Sequence, residues 1–238
     1  MKKLLVNILC MFVWNRHKRM ALRVELNYPV KKWTKFAKSF SNKKHPVAKY
    51  VYGFRCKNFV VNIDDKYVFK FPLTNNGYEI ANREKRITDA FRPISPIKIP
   101  DMEIVDFNGL AVRKYECIKG VGFHSLDKET QNKHADKLAT QLANFLYVIG
   151  KSDPIEIRDL KNSRSEKPSI MHGWNQNDLW DNFIINPKTF DIIGIIDWEG
   201  AKFNDFYRCF ISDTSNSNIK IALLREYLKK YTDAQKKK

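Results

Sequence analysis

Two aspartates set the tightest constraint on what this chain can fold into. Asp178 and Asp197 stand 19 positions apart, and most of what separates them is two short apolar β-runs, 183–185 and 192–196, around Asn186-Pro187-Lys188. Such runs on either side of a turn read as a hairpin. The hairpin returns the chain to its starting point and so places the two carboxylates near one another. Paired oxygen donors suit a metal–nucleotide site. Either carboxylate taken singly has an ordinary reading, such as a strand-end Asp capping the helix that follows. Their order and spacing together favour catalysis.

The rest of the composition bounds the class. The 238 residues suffice for one large domain or two closely packed lobes with a sizeable core. Apolar residues make up 43% and aromatics 13%, which describes a globular chain. The formal net charge of +17 favours anionic partners: phosphates, nucleic acid or an acidic membrane surface. Cys10, Cys56, Cys117 and Cys209 are scattered, as are the histidines, so neither a zinc spacing nor a disulfide framework is present. Reduced thiols in a cytoplasmic protein follow.

Residues 1–48 are strongly basic, with Glu25 their one acid, and read as a helix followed by a linker. The apolar run 4–14 is shorter than the roughly 20 residues a membrane span needs. With Lys2 and Lys3 before it and Arg16, Lys18, Arg19 and Arg23 after it, it suits a helix lying on an anionic membrane surface, on the inner face of the cytoplasmic membrane. The alternative is a helix packed on the domain itself. From about Lys49 short runs rich in Val, Tyr, Phe and Ile predict strands at 50–54, 59–63 and 67–71, then a charged helix at 78–91 and strands at 103–106 and 110–115. After Gly120 the character becomes helical, with Leu138, Leu142, Phe145 and Leu146 at helical spacing and a closing helix at 219–231. The polar stretch 149–170 reads as an insertion near a substrate site. The whole is α+β: a β-rich N-terminal lobe at 49–119 and a mostly helical lobe at 120–238.

Phosphoryl transfer needs a cation on the nucleotide phosphates, oxygens on a divalent metal, and a group that orients the acceptor hydroxyl and takes its proton. Lys70 lies within Val68-Phe69-Lys70-Phe71-Pro72, where strand alternation sets it opposite Phe69 and Phe71, on a face suited to phosphates. Glu84 lies on the first clear helix after it. In Gln176-Asn177-Asp178-Leu179-Trp180-Asp181-Asn182, Asp178 can orient an acceptor hydroxyl and accept its proton, and an amide oxygen a few residues on can bind metal. Asp197 ends the second apolar run.

On these residues the chain resembles the aminoglycoside phosphotransferase and choline kinase superfamily, whose fold is protein-kinase-like and two-lobed. Asn177-Asp178-Leu179 resembles the catalytic loop of the choline kinases, and Ile196-Asp197-Trp198-Glu199 the metal-binding segment of the aminoglycoside kinases. Val68 to Pro72 resembles the phosphate-lysine strand, and the stretch from Tyr115 to Gly120 the hinge whose backbone meets the adenine. The resemblance implies ATP and Mg2+ as cofactors, Asp178 as catalytic base, Asp197 and Asn182 as metal ligands, and Lys70 as phosphate lysine with Glu84 as its partner. It implies nucleotide contacts from Glu116 and Ile118 in the hinge and from Gly53, the one glycine of the phosphate-loop region 52–58. A narrower resemblance, His172-Gly173 with Asp178 and then Asn-Phe-Ile-Ile beyond, is to the heptose kinases of lipopolysaccharide-core assembly, and implies a glycan acceptor.

Three features depart from the pattern. Asn182 follows Asp178 by four positions, where kinases space the pair by five. Either the loop is one residue shorter, or Asn177 holds the base position and the protein is an inactive scaffold; the match at Asp178-Leu179 favours the short loop. A G-x-G-x-x-G is missing, and Gln176 replaces the histidine common before the catalytic acid. A nucleic-acid-binding role, invited by the charge, is disfavoured because the charge gathers at the two ends and no nucleic-acid motif is present.

Overall fold

The computed structural model describes residues 6, 10, 13–51, 57–161, 169–207, 210 and 217–236. They form two compact units: residues 1–82 with 102–117, and residues 83–101 with 118–238.

The first unit is built on an antiparallel sheet of order β1-β2-β3-β5-β4, with β1 at Ala48–Val51, β2 at Asn58–Ile63, β3 at Tyr67–Pro72, β4 at Glu103–Phe107 and β5 at Leu110–Glu116. The sequence fixes both tight hairpins locally. Asp64 and Asp65 turn β2 into β3 at φ of 57° and 52°, and Asn108 and Gly109 turn β4 into β5 at 53° and 77°. Paired left-handed residues match the twist of the strands they join, and Asp, Asn and Gly adopt them at least cost. Alternation then sorts the faces. Phe59, Val61, Ile63, Phe69, Phe71 and Val112 point to one side and are buried.

What covers that side differs from the expected linker. Helix α1 (Arg16–Asn27) and helix α2 (Val30–Lys38) contribute Val24, Val30, Trp33 and Ala37 to the same core. Trp33 stacks on Phe71 with ring centroids 5.1 Å apart and planes 6° from parallel. The lysines hid this: α2 buries one stripe and exposes Lys31, Lys32 and Lys35 on the other. Of the apolar run 4–14, only residues 6, 10, 13 and 14 are described; Val6 and Cys10 are buried, while Trp14 is 94% exposed. Among the described residues no helix is long and apolar enough to cross a membrane.

The second unit holds α4 (Lys128–Lys133), α5 (Ala135–Lys151), the closing α7 (Ser217–Gln235) and two small sheets. One has the order β6-β8-β9, from Val121–Gly122, Phe183–Ile185 and Ile192–Ile195; the other pairs β7 (His172–Asn175) with β10 (Lys202–Asp205). Leu138, Leu142, Phe145, Leu146 and Ile149 of α5 pack in one core with Trp174, Trp198 and Tyr227. Burial pushes the Tyr227 phenol well above its ordinary pKa, and its hydroxyl donates to Ile170 O at 2.9 Å. Helix α3 (Gly77–Phe91) begins in the first unit and belongs to the second from Arg83 onward. The stretch expected as an insertion is tied to α3: Arg86 donates to both carboxylate oxygens of Asp159 and to Glu156 O, and Ile157 is buried. Residues 162–168 lie outside the described set.

The core position of Trp33 has a measurable consequence. Trp33→Ala should cost about 3–5 kcal/mol in chemical denaturation, the scale of a deleted buried aromatic. A residue in a surface linker would change stability by less than about 0.5 kcal/mol.

Candidate active site

The hairpin expected between the two aspartates is present and carries them. Phe183 pairs with Ile195 and Ile184 with Gly194, so the foot of the hairpin sets Asn182 opposite Ile196; Ile196 N–H donates to Asn182 O at 2.9 Å. Before the foot runs a single helical turn, α6 (Leu179–Asn182), with Asp178 at its N-terminal boundary. Beyond the foot comes Asp197, which opens the 3-10 turn Trp198–Gly200. The two ends meet at Gly200, where a methyl group in place of hydrogen would stand 3.5 Å from Asp178 Oδ2. Asp178 thus lies against the turn that Asp197 begins. Asp178 is exposed and Asp197 half-buried.

The one-turn helix accounts for the short spacing. Asn182 Nδ2 donates to the backbone oxygen of Asp178 at 2.9 Å, the reach of a four-residue separation on a helix. With its nitrogen so used, the amide oxygen of Asn182 is its remaining acceptor. One carboxylate and one amide oxygen are a hard-oxygen set that fits Mg2+, which takes few protein ligands and fills the rest of its shell with phosphate and water. Among the described residues no group of three or more His, Cys, Asp or Glu is placed to hold a metal.

Asp197 has a left-handed backbone, φ 59° and ψ 65°. For a non-glycine residue this costs roughly 1–3 kcal/mol and persists only where the surroundings enforce it. Three buried or half-buried side chains do so. Glu84, 3% exposed, accepts from Trp198 N at 3.0 Å. Arg83 donates to Glu199 O at 3.1 Å and to Ala201 O at 2.6 Å. Gln176, 1% exposed, donates from Nε2 to Ile196 O at 3.2 Å and to Asp197 O at 2.7 Å. The bonds of Glu84 and Arg83 are charge-assisted, at about 1.5–3 kcal/mol each, and those from the neutral Gln176 amide contribute about 0.5–1.5 kcal/mol each, so the set is of the size needed to offset the strain. Burial draws the Arg83 guanidinium below its ordinary pKa, and the neighbouring Glu84 charge opposes that fall. Arg83 was invisible in the sequence, where it is one of several charges on a helix. Gln176 showed only as a missing histidine; its amide carries two donors and needs no protonation to bind both carbonyls.

The remaining candidates fall in the first unit or at its boundary. Lys70, 3% exposed, sits on the sheet face away from Phe69 and Phe71, as alternation requires. Opposite it on β5 is Arg113, 1% exposed and bonded to the Asn58 amide oxygen, a second buried cation on that face that sequence reading passed over. Glu116 ends β5 opposite Tyr67 and is exposed. Ile118, in the second unit, packs on β9 so tightly that a methyl on Gly194 would stand 2.4 Å from its Cδ1. Gly53 lies outside the described residues. The His172-Gly173 pair has a packing role here: a methyl on Gly173 would stand 1.9 Å from Gly150 O, so the glycine lets β7 lie directly on α5.

Comparisons with protein-family models and with curated proteins find no match. Solved structures do match. Aminoglycoside 2'-phosphotransferase-IIIa, as its GDP complex, superposes with a TM-score of 0.62 at 15% identity, covering 83% of this chain and 82% of the other. ADP-bound aminoglycoside phosphotransferase APH(2'')-Ib gives 0.63 at 15% identity, covering 88% and 86%. The chain has the protein-kinase-like fold of the aminoglycoside phosphotransferases. Macrolide 2'-phosphotransferase MphH from Brachybacterium faecium shares this fold with a TM-score of 0.55 at 14% identity, covering 84% and 82%. The kinase-like arrangement of a β-rich unit and a mainly helical one is therefore as the sequence predicted.

The bracing of the Asp197 turn can be tested without any assay of activity. Glu84→Ala should speed amide exchange at Trp198 by about tenfold or more, because a charge-assisted bond worth over 1 kcal/mol is lost. Hydrogen exchange resolved at residues 195–201 checks this, and an unchanged Trp198 amide would show that Glu84 does not brace the turn.

Proposed function

We propose that this protein is a magnesium- and nucleotide-dependent phosphotransferase that moves the γ-phosphate of ATP to a hydroxyl of a small-molecule or sugar acceptor. One observation carries the reading: the hairpin brings Asp178 onto the strained turn that begins with Asp197, and the buried side chains of Glu84 and Gln176 bond to that turn. Strain at an acidic residue, braced from several sides, marks a functional site more readily than a structural one. The proteins that share the fold include nucleotide complexes of aminoglycoside kinases, and their chemistry is the one these residues can perform.

In this reading Asp178 orients the acceptor hydroxyl and receives its proton as the oxygen attacks the γ-phosphorus. The new O–P bond forms, the bond to the bridging oxygen breaks, and ADP leaves. Lys70 holds the phosphates. Asp197 and Asn182 hold Mg2+, which when bound offsets the phosphate charge. The protein supplies position and charge neutralisation, with no covalent intermediate on the enzyme. Glu84, Glu116, Ile118 and Gly53 complete the nucleotide side, Glu84 through the turn it braces. Against an inactive scaffold stands the helical turn α6, which keeps both Asp178 and Asn182 in play at the shorter spacing.

The narrower acceptor class we propose is a surface-glycan or lipopolysaccharide-core sugar met at an anionic membrane. What supports it is the basic outer surface of the first two helices, where Arg16, Lys18, Arg23, Lys31, Lys32 and Lys35 are exposed. Each such cation adds roughly 1 kcal/mol near an anionic surface.

Asp178→Asn should leave nucleotide affinity within a few-fold of the parent and lower turnover by about 100-fold or more, the scale of a lost general base. The assay is nucleotide consumption with detection of the phosphorylated product, run against sugars, choline, aminoglycosides and lipid-linked glycans. Unchanged turnover in the variant would remove Asp178 from the chemistry.

A further inference from the structure

Most glycines of the second unit have a structural reason. A methyl on Gly120, Gly150, Gly173 or Gly194 would stand less than 3.0 Å from a neighbouring atom, closer than packing allows. Gly200 has no such reason. A methyl there would meet nothing nearer than 3.5 Å, an ordinary contact. Its backbone is not left-handed, and it closes the 3-10 turn Trp198–Gly200, where alanine is the better turn former. Glycine at 200 therefore gives the unfolded chain extra freedom, and neither packing nor conformation requires it.

What a side chain at position 200 would meet is the loop that carries Asp178. The nearest atoms to the methyl position are Asp178 Oδ2 at 3.5 Å, Gln176 O at 3.8 Å and Asn177 Nδ2 at 3.9 Å. All three are polar, and they belong to consecutive residues. Extended chain would send the side chains of 177 and 178 to opposite faces. Asn177 has a left-handed backbone, φ 78°, which breaks that alternation, and both side chains reach one point. Neither the Asn177 amide nor the Asp178 carboxylate has a hydrogen-bond partner among the described residues. Asn177 and Gly200 are half-buried and Asp178 is exposed, so a small molecule can reach the place where they meet.

The atom types select the ligand. Hydroxyls both donate and accept, so a hydroxyl-bearing molecule can donate to Asp178 Oδ2 while one of its oxygens accepts from Asn177 Nδ2. A phosphate oxygen only accepts and would face the oxygens of Asp178 and Gln176. An ammonium only donates and would face the N–H of Asn177. We propose that Gly200 and Asn177 complete the acceptor subsite: a neutral, hydroxyl-bearing acceptor occupies the space a side chain at position 200 would fill, with its reacting hydroxyl on Asp178 Oδ2 and one of its oxygens on Asn177 Nδ2. Gly200 sets how much bulk can approach Asp178, and Asn177 sets the polarity of what does. The proposal rests on the phosphotransferase reading and adds to it the residues that choose the acceptor.

Two variants of the full chain test it. Gly200→Ala fills the space with one methyl, and Asn177→Gly removes the amide while glycine keeps the left-handed backbone. Each is melted, its magnesium-dependent ATP affinity is measured by calorimetry, and kcat and KM are measured for neutral sugars and for aminoglycosides. Gly200→Ala should melt at or above the parent's temperature, bind ATP within about twofold of the parent, and lose about tenfold or more in kcat/KM for a sugar acceptor. Asn177→Gly should hold ATP affinity and raise the sugar KM about tenfold, with a smaller change in kcat. Unchanged acceptor kinetics in either variant overturn the proposal. A loss that falls on ATP affinity instead assigns the space to the nucleotide and overturns it too, as does a Gly200→Ala variant that melts well below the parent, because the glycine then has a structural reason. A parent that binds ATP yet phosphorylates no neutral hydroxyl compound overturns the acceptor class. A parent that binds no nucleotide overturns the phosphotransferase reading itself, a result distinct from a working parent with unaffected variants.

Discussion

The left-handed backbone at Asp197 is the constraint on which the site depends. A strand that ended there in ordinary conformation would run on, and its carboxylate would point where the pleat sent it. Instead the chain reverses hand at one residue and enters a tight turn, and the cost is met by the groups around it. Glu84 takes the amide just after Asp197, Gln176 takes the carbonyls of Ile196 and Asp197, and Arg83 takes those of Glu199 and Ala201. Consecutive residues of α3 thus grip a turn more than 110 positions away, at sequence separations of 114 to 118. Because Asp178 rests on Gly200 of that same turn, whatever fixes the turn also fixes the distance between the two acids.

Much of this was legible in the sequence, and the reasons are local. The Asp64-Asp65 and Asn108-Gly109 turns mark tight hairpins by residue type alone, and the flanking alternation leaves one register that buries the apolar face. Lys70 could be read because a lysine between two buried phenylalanines must sit on the other face. The approach of Asp178 to Asp197 could be read because a three-residue strand pair leaves the ends of a hairpin nowhere else to go. Arg83, Arg113 and the two hydrogen bonds from Gln176 could not, because each is a long-range polar contact with no periodic signature. Charged side chains on a helix look alike until the fold decides which one is buried.

The N-terminal segment shows the opposite failure. Its lysines and arginines dominate the composition of residues 1–48, and composition suggested a linker. The apolar stripe of Val30, Trp33 and Ala37 at helical spacing was the stronger signal, because three residues on one face suffice to close a sheet. His172-Gly173 carries a related lesson. The match that suggested a glycan acceptor runs from His172-Gly173 through Asp178 to Asn-Phe-Ile-Ile, and within it the contact of Gly173 with Gly150 accounts for the glycine through packing of β7 on α5.

The central claim is that Asp197 and Asn182 hold the metal of a nucleotide complex beside Asp178. Paramagnetic relaxation with Mn2+ in place of Mg2+ and a non-hydrolysable ATP analogue tests it directly, because broadening falls steeply with distance from the ion. The side-chain resonances of Asp197 and Asn182 should broaden most and those of Asp178 next. Broadening that spares Asp197, or an absence of metal-dependent nucleotide binding, would contradict the account.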